Sequence, residues 1–187
     1  RDWIGNYSNT NISKALNFEE IYQIEDSFCN TSDPEILSQV LIDFDRTTTN
    51  FYRWTVSYTQ QQLSELVARK SGIDFGEIVD LVPLDRSKSG RIIRLQIVGT
   101  KQELVVGKEL EIRKWLSESH LYSSAFSVEK IMSEDSNVPN QFILHGAGWG
   151  HGVGMCQIGA AVMSQKGFSA TEIVEHYFKG ADVQKIY

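Results

Sequence analysis

Two hydrophobic periodicities alternate along the chain and predict a mixture of helices and strands. Asp33 is followed by proline, and apolar residues then recur at helical spacing through 36–44, so we expect a helix with Asp33 as its N-cap. Residues 51–58 are aromatic or β-branched at alternate positions, which indicates a strand. Thr59 is expected to cap a second helix, which continues to Lys70 and has one apolar face.

The middle of the chain is dominated by short runs with the period of two that is typical of strands. The predicted strands cover residues 78–84, 91–98, 102–106, 126–132 and 141–144, with a short helix at 108–116. A turn containing Gly90 joins the first two strands. The charged residues near that turn indicate a solvent-facing side of the sheet: Asp85, Arg86, Arg91 and Arg94.

The two ends of the chain differ from this middle block. Residues 1–33 are rich in Asn, Ser and Thr and predict an irregular arm, with a short helix around 13–23. Near the other end, residues 155–165 predict a helix, Ser169 and Glu172 form a capping-box pair that opens the next helix, and 182–187 predict a final strand. We therefore expect one α+β domain over 1–187, with its main body at 51–187. Its sheet should be mainly antiparallel, with several short helices and a Gly-rich loop that leads into C-terminal helices.

Composition and charge narrow the range of partners. The chain has 187 residues and a formal net charge of −6. Nucleic-acid-binding domains normally present a basic patch, so we expect no nucleic-acid partner. No apolar run approaches the roughly 20 residues that a membrane-spanning helix needs, so we expect no transmembrane segment in this chain.

A glycine occupies every second position from 146 to 154, in the segment HGAGWGHGVG. Glycine costs roughly 0.5–1 kcal/mol of stability relative to alanine in regular structure, so five in one loop imply tight turns or the close approach of another group. Trp149 and His151 lie between the glycines, and a helix follows directly. Sugars stack on indole faces, and a helix N-terminus offers free N–H donors, so this composition is typical of a ligand-binding rim.

Two other interpretations of the glycines are open at this point. They could be a packing device that lets the backbone pass closely under a neighbouring element. A dinucleotide-binding loop is disfavoured, because that fingerprint needs a strand–helix–strand unit, and here no strand follows the predicted helix directly.

Several segments carry a resemblance to a known family. They are HGAGWGHGVGMCQIGAAVMSQKG and GFSATEIVEHYFKGADVQKIY, preceded in the same order by RSKSGRIIRLQIVG, VVGKELEIRKWL and SSAFSVEK. Over about residues 56–187 the chain resembles the C-terminal part of the SpoIID/LytB family, which comprises stage II sporulation protein D and amidase enhancers. Cys156 is a departure, because the family core usually carries serine there.

The resemblance implies a role in bacterial cell-wall remodelling, outside the cytoplasm in the cell envelope or periplasm. SpoIID proteins resemble lytic transglycosylases, which cleave peptidoglycan glycan strands that amidases have stripped of stem peptides. The family's catalytic Glu lies in an N-terminal segment that we expect this chain to lack, so no catalytic residue is assigned. The alternative is a non-catalytic amidase enhancer or glycan-binding module, with a cell-wall amidase as partner.

Candidate site residues follow from the glycine-rich block. The substrate-binding candidates are His145, Gly148, Trp149, Gly150, His151, Gly152 and Gln157. His151 could instead bond only to loop backbone, and Trp149 could plug the core under the loop. We expect no cofactor. Cys29 and Cys156 are weak candidates for a zinc site, since a closed zinc site needs more ligands than these two thiols supply; they could also pair, or lie buried as small apolar groups.

Overall fold

The computed structural model describes residues 18–41, 49–133 and 136–184. Within these residues the chain forms six helices and six strands. The helices are α1 (Phe18–Tyr22), α2 (Pro34–Val40), α3 (Gln60–Ser71), α4 (Glu109–Trp115), α5 (Gln157–Gln165) and α6 (Ala170–Tyr177). The strands are β1 (Arg53–Thr59), β2 (Ile78–Arg86), β3 (Ile92–Gly99), β4 (Glu103–Gly107), β5 (Phe126–Met132) and β6 (Pro139–Ala147).

The strands form two antiparallel three-stranded sheets, which confirms the predicted α+β class. One sheet has the order β1-β6-β5 and the other β2-β3-β4. Side chains from both sheets and from α3 and α4 share one hydrophobic core, in which Leu63, Ile97 and Phe142 are fully buried. In the described part of the chain, no helix combines the length and apolar character needed to cross a membrane.

The helix ends follow the predicted capping chemistry. The Asp33 carboxylate accepts a hydrogen bond from the Glu35 N–H at 2.9 Å at the start of α2. Thr59 and Gln62 form a capping box at the start of α3, and Gly72 ends that helix with φ of 73°. These polar groups satisfy backbone donors and acceptors that a helix end leaves without an intrahelical partner.

Several elements differ in extent from the sequence predictions. Strand β6 continues to Ala147 because Ala147 pairs with Arg53 on β1 and its N–H donates to the Ala125 carbonyl, just before β5. Helix α2 ends at Val40, and the rest of the predicted helix lies at 42–48, outside the described residues. The N-terminal arm is described only from Phe18. Residues 182–184 form no strand, and 185–187 lie outside the described part.

The prediction that Arg86 and Arg91 face solvent is wrong. Arg91 is 4 % exposed, and Arg86 donates hydrogen bonds to the carbonyls of Gly90 and Phe126 at 2.8 and 2.7 Å. Burial lowers the pKa of Arg86 to about 10. Charge alone indicated exposure, whereas backbone carbonyls accept hydrogen bonds from both guanidinium groups, and that of Arg86 also lies over the Phe18 ring.

Candidate functional site: a cavity beside the glycine loop

The glycine loop, residues 146–154, begins with the last two residues of β6, and main-chain hydrogen bonds connect it to its surroundings. The N–H groups of Ala147, Gly148 and Gly150 donate to the carbonyls of Ala125, Tyr52 and Tyr122 at 2.8–2.9 Å. These three bonds hold the backbone in a fixed path, so the side chains of the loop have defined positions.

Two physical reasons account for the glycines. Gly148, Gly150, Gly152 and Gly154 have φ between 69° and 81°, a region that other residues adopt at a steric cost. Gly146 lies in β6, where a Cβ would come within 2.0 Å of the Trp54 ring. Both predicted roles, tight turns and close packing, therefore occur in one segment.

The buried Arg91 side chain binds the backbone of the glycine loop. Its Nε donates to the Gly150 carbonyl at 2.8 Å, and its guanidinium also contacts the carbonyls of Trp149 and Ser89 at 3.4 and 3.5 Å. A Cβ on Gly152 would lie 2.1 Å from the same guanidinium. Sequence reasoning missed this role. The sequence carries no local signal for it, because Arg91 stands directly before strand β3 and a charged residue there usually faces water.

A cavity of about 360 Å³ opens beside the loop. Its walls come from three parts of the chain: the end of α2, the glycine loop and the start of α5. The lining residues include Val40, Leu41, Trp149, His151, Met155 and Gln157. Its size lies at the lower end of the range of small-molecule sites, and its lining combines apolar groups with a few polar ones, as such sites usually do.

Trp149 is half-buried at the cavity wall. Its ring centroid lies 4.7 Å from that of Phe51 and 4.8 Å from that of Tyr122, with tilted planes. It also packs with the cluster of Leu37, Phe51 and Ile158. The indole therefore anchors the loop to the core and contributes its remaining exposed surface to the cavity.

His151 and Gln157 supply polar groups at the cavity. His151 is exposed, and its Nδ1 accepts a hydrogen bond from the Val153 N–H at 3.0 Å. In the neutral ring this bond places the proton on Nε2, which makes that atom a donor. Gln157 is the exposed first residue of α5, and its amide can both donate and accept.

The structure brings five of the seven predicted substrate-binding residues to the cavity and places two elsewhere. Trp149, Gly150, His151, Gly152 and Gln157 line it. The remaining two have other contacts. His145, on β6, donates from Nε2 to the Glu129 carboxylate at 2.8 Å, and the Gly148 carbonyl accepts from the Trp54 indole N–H at 3.0 Å.

Cys156 also lines the cavity, and it lies against Cys29. The two sulfurs are 2.7 Å apart, with the Cys29 thiol donating. That hydrogen bond lowers the pKa of Cys156, and bonds from the N–H groups of Gly159 and Ile158 lower it further. The same bond and burial raise the pKa of Cys29 well above its ordinary value.

The two thiols by themselves are an incomplete zinc site. In a tetrahedral site with Zn–S bonds of about 2.3 Å, two thiolates lie about 3.8 Å apart, farther than these sulfurs. Within the described ranges, no three His, Cys, Asp or Glu side chains come together to hold a metal ion. A structural zinc needs four ligands, so we assign no chemistry to a metal here.

The cavity walls carry no carboxylate among the residues that the structure describes. Glu118 instead pairs with Arg69 at 2.5 Å and is strongly exposed. Glu134, another carboxylate that precedes the glycine loop in sequence, lies outside the described residues. The described cavity can therefore bind a ligand through hydrogen bonds and apolar contacts, and it offers no carboxylic acid for proton transfer.

The geometry defines an α+β domain with a neutral cavity beside a glycine-rich loop, and comparison with known proteins places the chain in a family. The model of the family described as Domain of unknown function (DUF8618) matches residues 5–154. This match covers most of the chain, so the chain belongs to that family.

Two curated proteins match shorter stretches. Stage II sporulation protein D of Bacillus amyloliquefaciens is 53% identical over 38 residues, which is 20% of this chain and 11% of that protein. An uncharacterized protein of Brachyspira hyodysenteriae (strain ATCC 49526 / WA1) is 38% identical over 73 residues, 39% of this chain and 18% of that protein. The chain thus spans less than a fifth of the length of each. The similarity to stage II sporulation protein D is local.

Proposed function

We propose that the cavity beside the glycine loop binds the glycan strands of bacterial peptidoglycan, in the cell envelope outside the cytoplasm. The local similarity to stage II sporulation protein D supports a cell-wall role. In a complete enzyme this domain would form the substrate-holding side of a lytic transglycosylase that acts on strands stripped of stem peptides.

The observation that carries this proposal is the neutral lining of the cavity. None of its described lining residues is Asp, Glu, Lys or Arg. The polar groups are an imidazole, a side-chain amide and loop backbone, beside apolar surface from Trp149, Val40 and Leu41. A glycan backbone presents hydroxyl and amide groups that need hydrogen-bond partners and ring faces that need apolar contact, and these walls offer both.

The chemistry of lytic cleavage sets a limit on what this cavity does by itself. Cleavage needs a general acid to protonate the leaving oxygen and a base to take the proton from the sugar O6 hydroxyl; one carboxyl group with a raised pKa can serve both steps. The described cavity walls offer no such group. We therefore expect this chain to bind glycan without cleaving it, with the acid supplied from elsewhere in the catalytic assembly.

A non-catalytic role is the second candidate, and the same observation favours it. A cavity that binds glycan without an acid would suit a docking module that presents glycan to a cell-wall amidase. The two candidates share the binding site and differ only in whether an acid joins it.

The test measures binding and cleavage together, with peptidoglycan stripped of its stem peptides. Co-sedimentation gives binding, and mass spectrometry of the soluble products detects 1,6-anhydro sugar ends. We expect binding without anhydro products. His151→Ala and Gln157→Ala should each weaken binding about fivefold to tenfold, since a lost hydrogen bond is worth about 1 kcal/mol.

Two exposed residues provide matched controls. His120→Ala changes an imidazole away from the cavity, and Gln165→Ala changes an amide at the other end of α5. Both variants should bind like the unchanged chain. Equal loss in the controls, or no binding by the unchanged chain, contradicts the proposal, and strong anhydro-sugar formation contradicts the expectation of binding without cleavage.

A further inference from the structure

Two cysteines far apart in sequence meet at the edge of the cavity. Cys29 lies between α1 and α2, and Cys156 is the N-cap of α5, 127 positions later. Both are free thiols, and their sulfurs are 2.7 Å apart. A disulfide bond is about 2.05 Å long, so the sulfurs need to approach by less than about 1 Å to bond.

The two thiols differ in access and in hydrogen bonding. Cys156 lines the cavity, whereas Cys29 is only 5 % exposed. Cys156 Sγ accepts from the Cys29 thiol and from the Gly159 N–H, the latter at 3.4 Å. Donors directed at a sulfur favour its thiolate form, which is the nucleophile in thiol–disulfide exchange. A reagent in the cavity therefore meets the better nucleophile first, with the second thiol directly behind it.

We propose that Cys29 and Cys156 form a redox-reactive dithiol, which an organic disulfide entering the cavity oxidises to an intramolecular disulfide. The Cys156 thiolate attacks one sulfur of the organic disulfide, whose S–S bond breaks, and the first organic thiolate leaves with the electron pair. Cys29 then loses its proton and attacks the Cys156 sulfur, and this expels the second organic thiolate. Two protein thiols are oxidised, and one organic disulfide is reduced to two thiols.

The new bond would join the start of α5 to the segment that precedes α2. The segment that holds Cys29 leads into α2, whose last turn supplies Val40 at one wall, and Cys156 begins α5 at another. Oxidation thus fixes the start of α5 against the segment that precedes α2. This inference is independent of glycan binding, because it concerns the chemistry of the two sulfurs alone.

The test uses oxidised glutathione as the probe, at low protein concentration, with samples quenched in acid over time. Peptide mass spectrometry then locates every adduct and link. In the unchanged chain we expect a transient glutathione adduct on Cys156, followed by a Cys29–Cys156 linked peptide and loss of both free thiols.

Two single variants separate the two steps. Cys29→Ser should accumulate the adduct on Cys156, since no second thiol is present to displace it. In the Cys156→Ser variant, Cys29 should react with oxidised glutathione at least tenfold more slowly than Cys156 does in the unchanged chain. Circular dichroism checks that each variant is folded. If either variant is not folded, the order of adduct and linked peptide in the unchanged chain tests the proposal by itself.

Three outcomes would overturn the proposal. One is a glutathione adduct on Cys156 that persists in the unchanged chain without a linked peptide. The second is an adduct that forms first on Cys29. The third is a native chain whose thiols stay reduced until denaturant is added.

Discussion

At the residue scale, Gly150 and Gly152 form a matched pair that separates two reasons for a glycine. Both have φ near 70°, so alanine at either position carries a backbone penalty of about 1 kcal/mol. Only at Gly152 does the new Cβ meet a neighbour, the guanidinium of Arg91 at 2.1 Å; at Gly150 nothing lies within 4 Å. That guanidinium cannot move aside without losing its bond to the Gly150 carbonyl.

We therefore predict that Gly152→Ala lowers the free energy of unfolding by about 2–4 kcal/mol and Gly150→Ala by about 1 kcal/mol. Urea denaturation of the two variants checks this difference. An equal loss of unfolding free energy in the two variants would mean that the Arg91 side chain moves aside without cost. That result would contradict the claim that its hydrogen bonds stabilise the loop.

Arg91 itself gives a second residue-scale prediction. Arg91→Met keeps the apolar stem and removes the donors to three carbonyls, so we expect a loss of about 2–3 kcal/mol in unfolding free energy. Arg94→Met is the control, because the exposed Arg94 side chain forms an ion pair with Asp85 at 2.8 Å. Such pairs contribute at most about 1 kcal/mol. A similar loss in both variants would show that the carbonyl contacts do not stabilise the loop.

The contacts of individual side chains at the site were the features that the sequence predicted least completely. The spacing of the glycines correctly indicated tight turns, and it brought attention to His151 and Trp149. It could not reveal Arg91 beneath the loop, because a charged residue at a strand start usually faces water. Nor could it exclude His145 from the cavity, since the pairing of β6 decides which way that side chain points.

At the element scale, the cap of α6 is a local device that the sequence predicted correctly. Ser169 Oγ accepts from the Glu172 N–H at 3.3 Å, and the Glu172 carboxylate accepts from the Ser169 N–H at 2.7 Å. Ser169→Ala removes the serine half of this box, and we predict a loss of about 1 kcal/mol in unfolding free energy. Ser169→Asn retains a capping oxygen and should lose less than half as much.

Thermal or urea unfolding of the two serine variants provides the measurement. Equal stability of the alanine and asparagine variants would mean that the capping bond contributes nothing to α6. Helices of this kind were predictable because caps and periodicity are local in sequence. The extent of β6 was not, because Ala147 belongs to the strand through its partner Arg53 on β1, which is distant in sequence.

At the scale of the whole molecule, contacts between distant segments build the cavity. The end of α2, the glycine loop and the start of α5 meet there, although they are separated widely in sequence. Hydrophobic spacing predicted α2 but gave no indication that Val40 and Leu41 would form a cavity wall. Tertiary packing alone supplies that information, and so the sequence could identify the loop but not the walls of the cavity beside it.

The proposed disulfide makes a prediction at this scale. Linking Cys29 to Cys156 would close a loop across 127 positions and restrict the unfolded chain. We expect the oxidised chain to unfold with a free energy about 2–4 kcal/mol higher than the reduced chain. Urea denaturation with and without reductant measures the difference. Cys29→Ser should show none, and equal stability of the two redox forms in the unchanged chain would contradict the prediction.

Locating the residues that bind the glycan tests the proposed function most directly. Short glycan oligosaccharides without stem peptides would be titrated into isotope-labelled protein, with amide and indole signals followed by nuclear magnetic resonance. We predict that the largest shifts occur at the amides of Gly150, Gly152 and Gln157 and at the Trp149 indole. Shifts concentrated instead around His145 and Glu129, on the sheet away from the cavity, would contradict the proposal that this cavity binds the sugar strand.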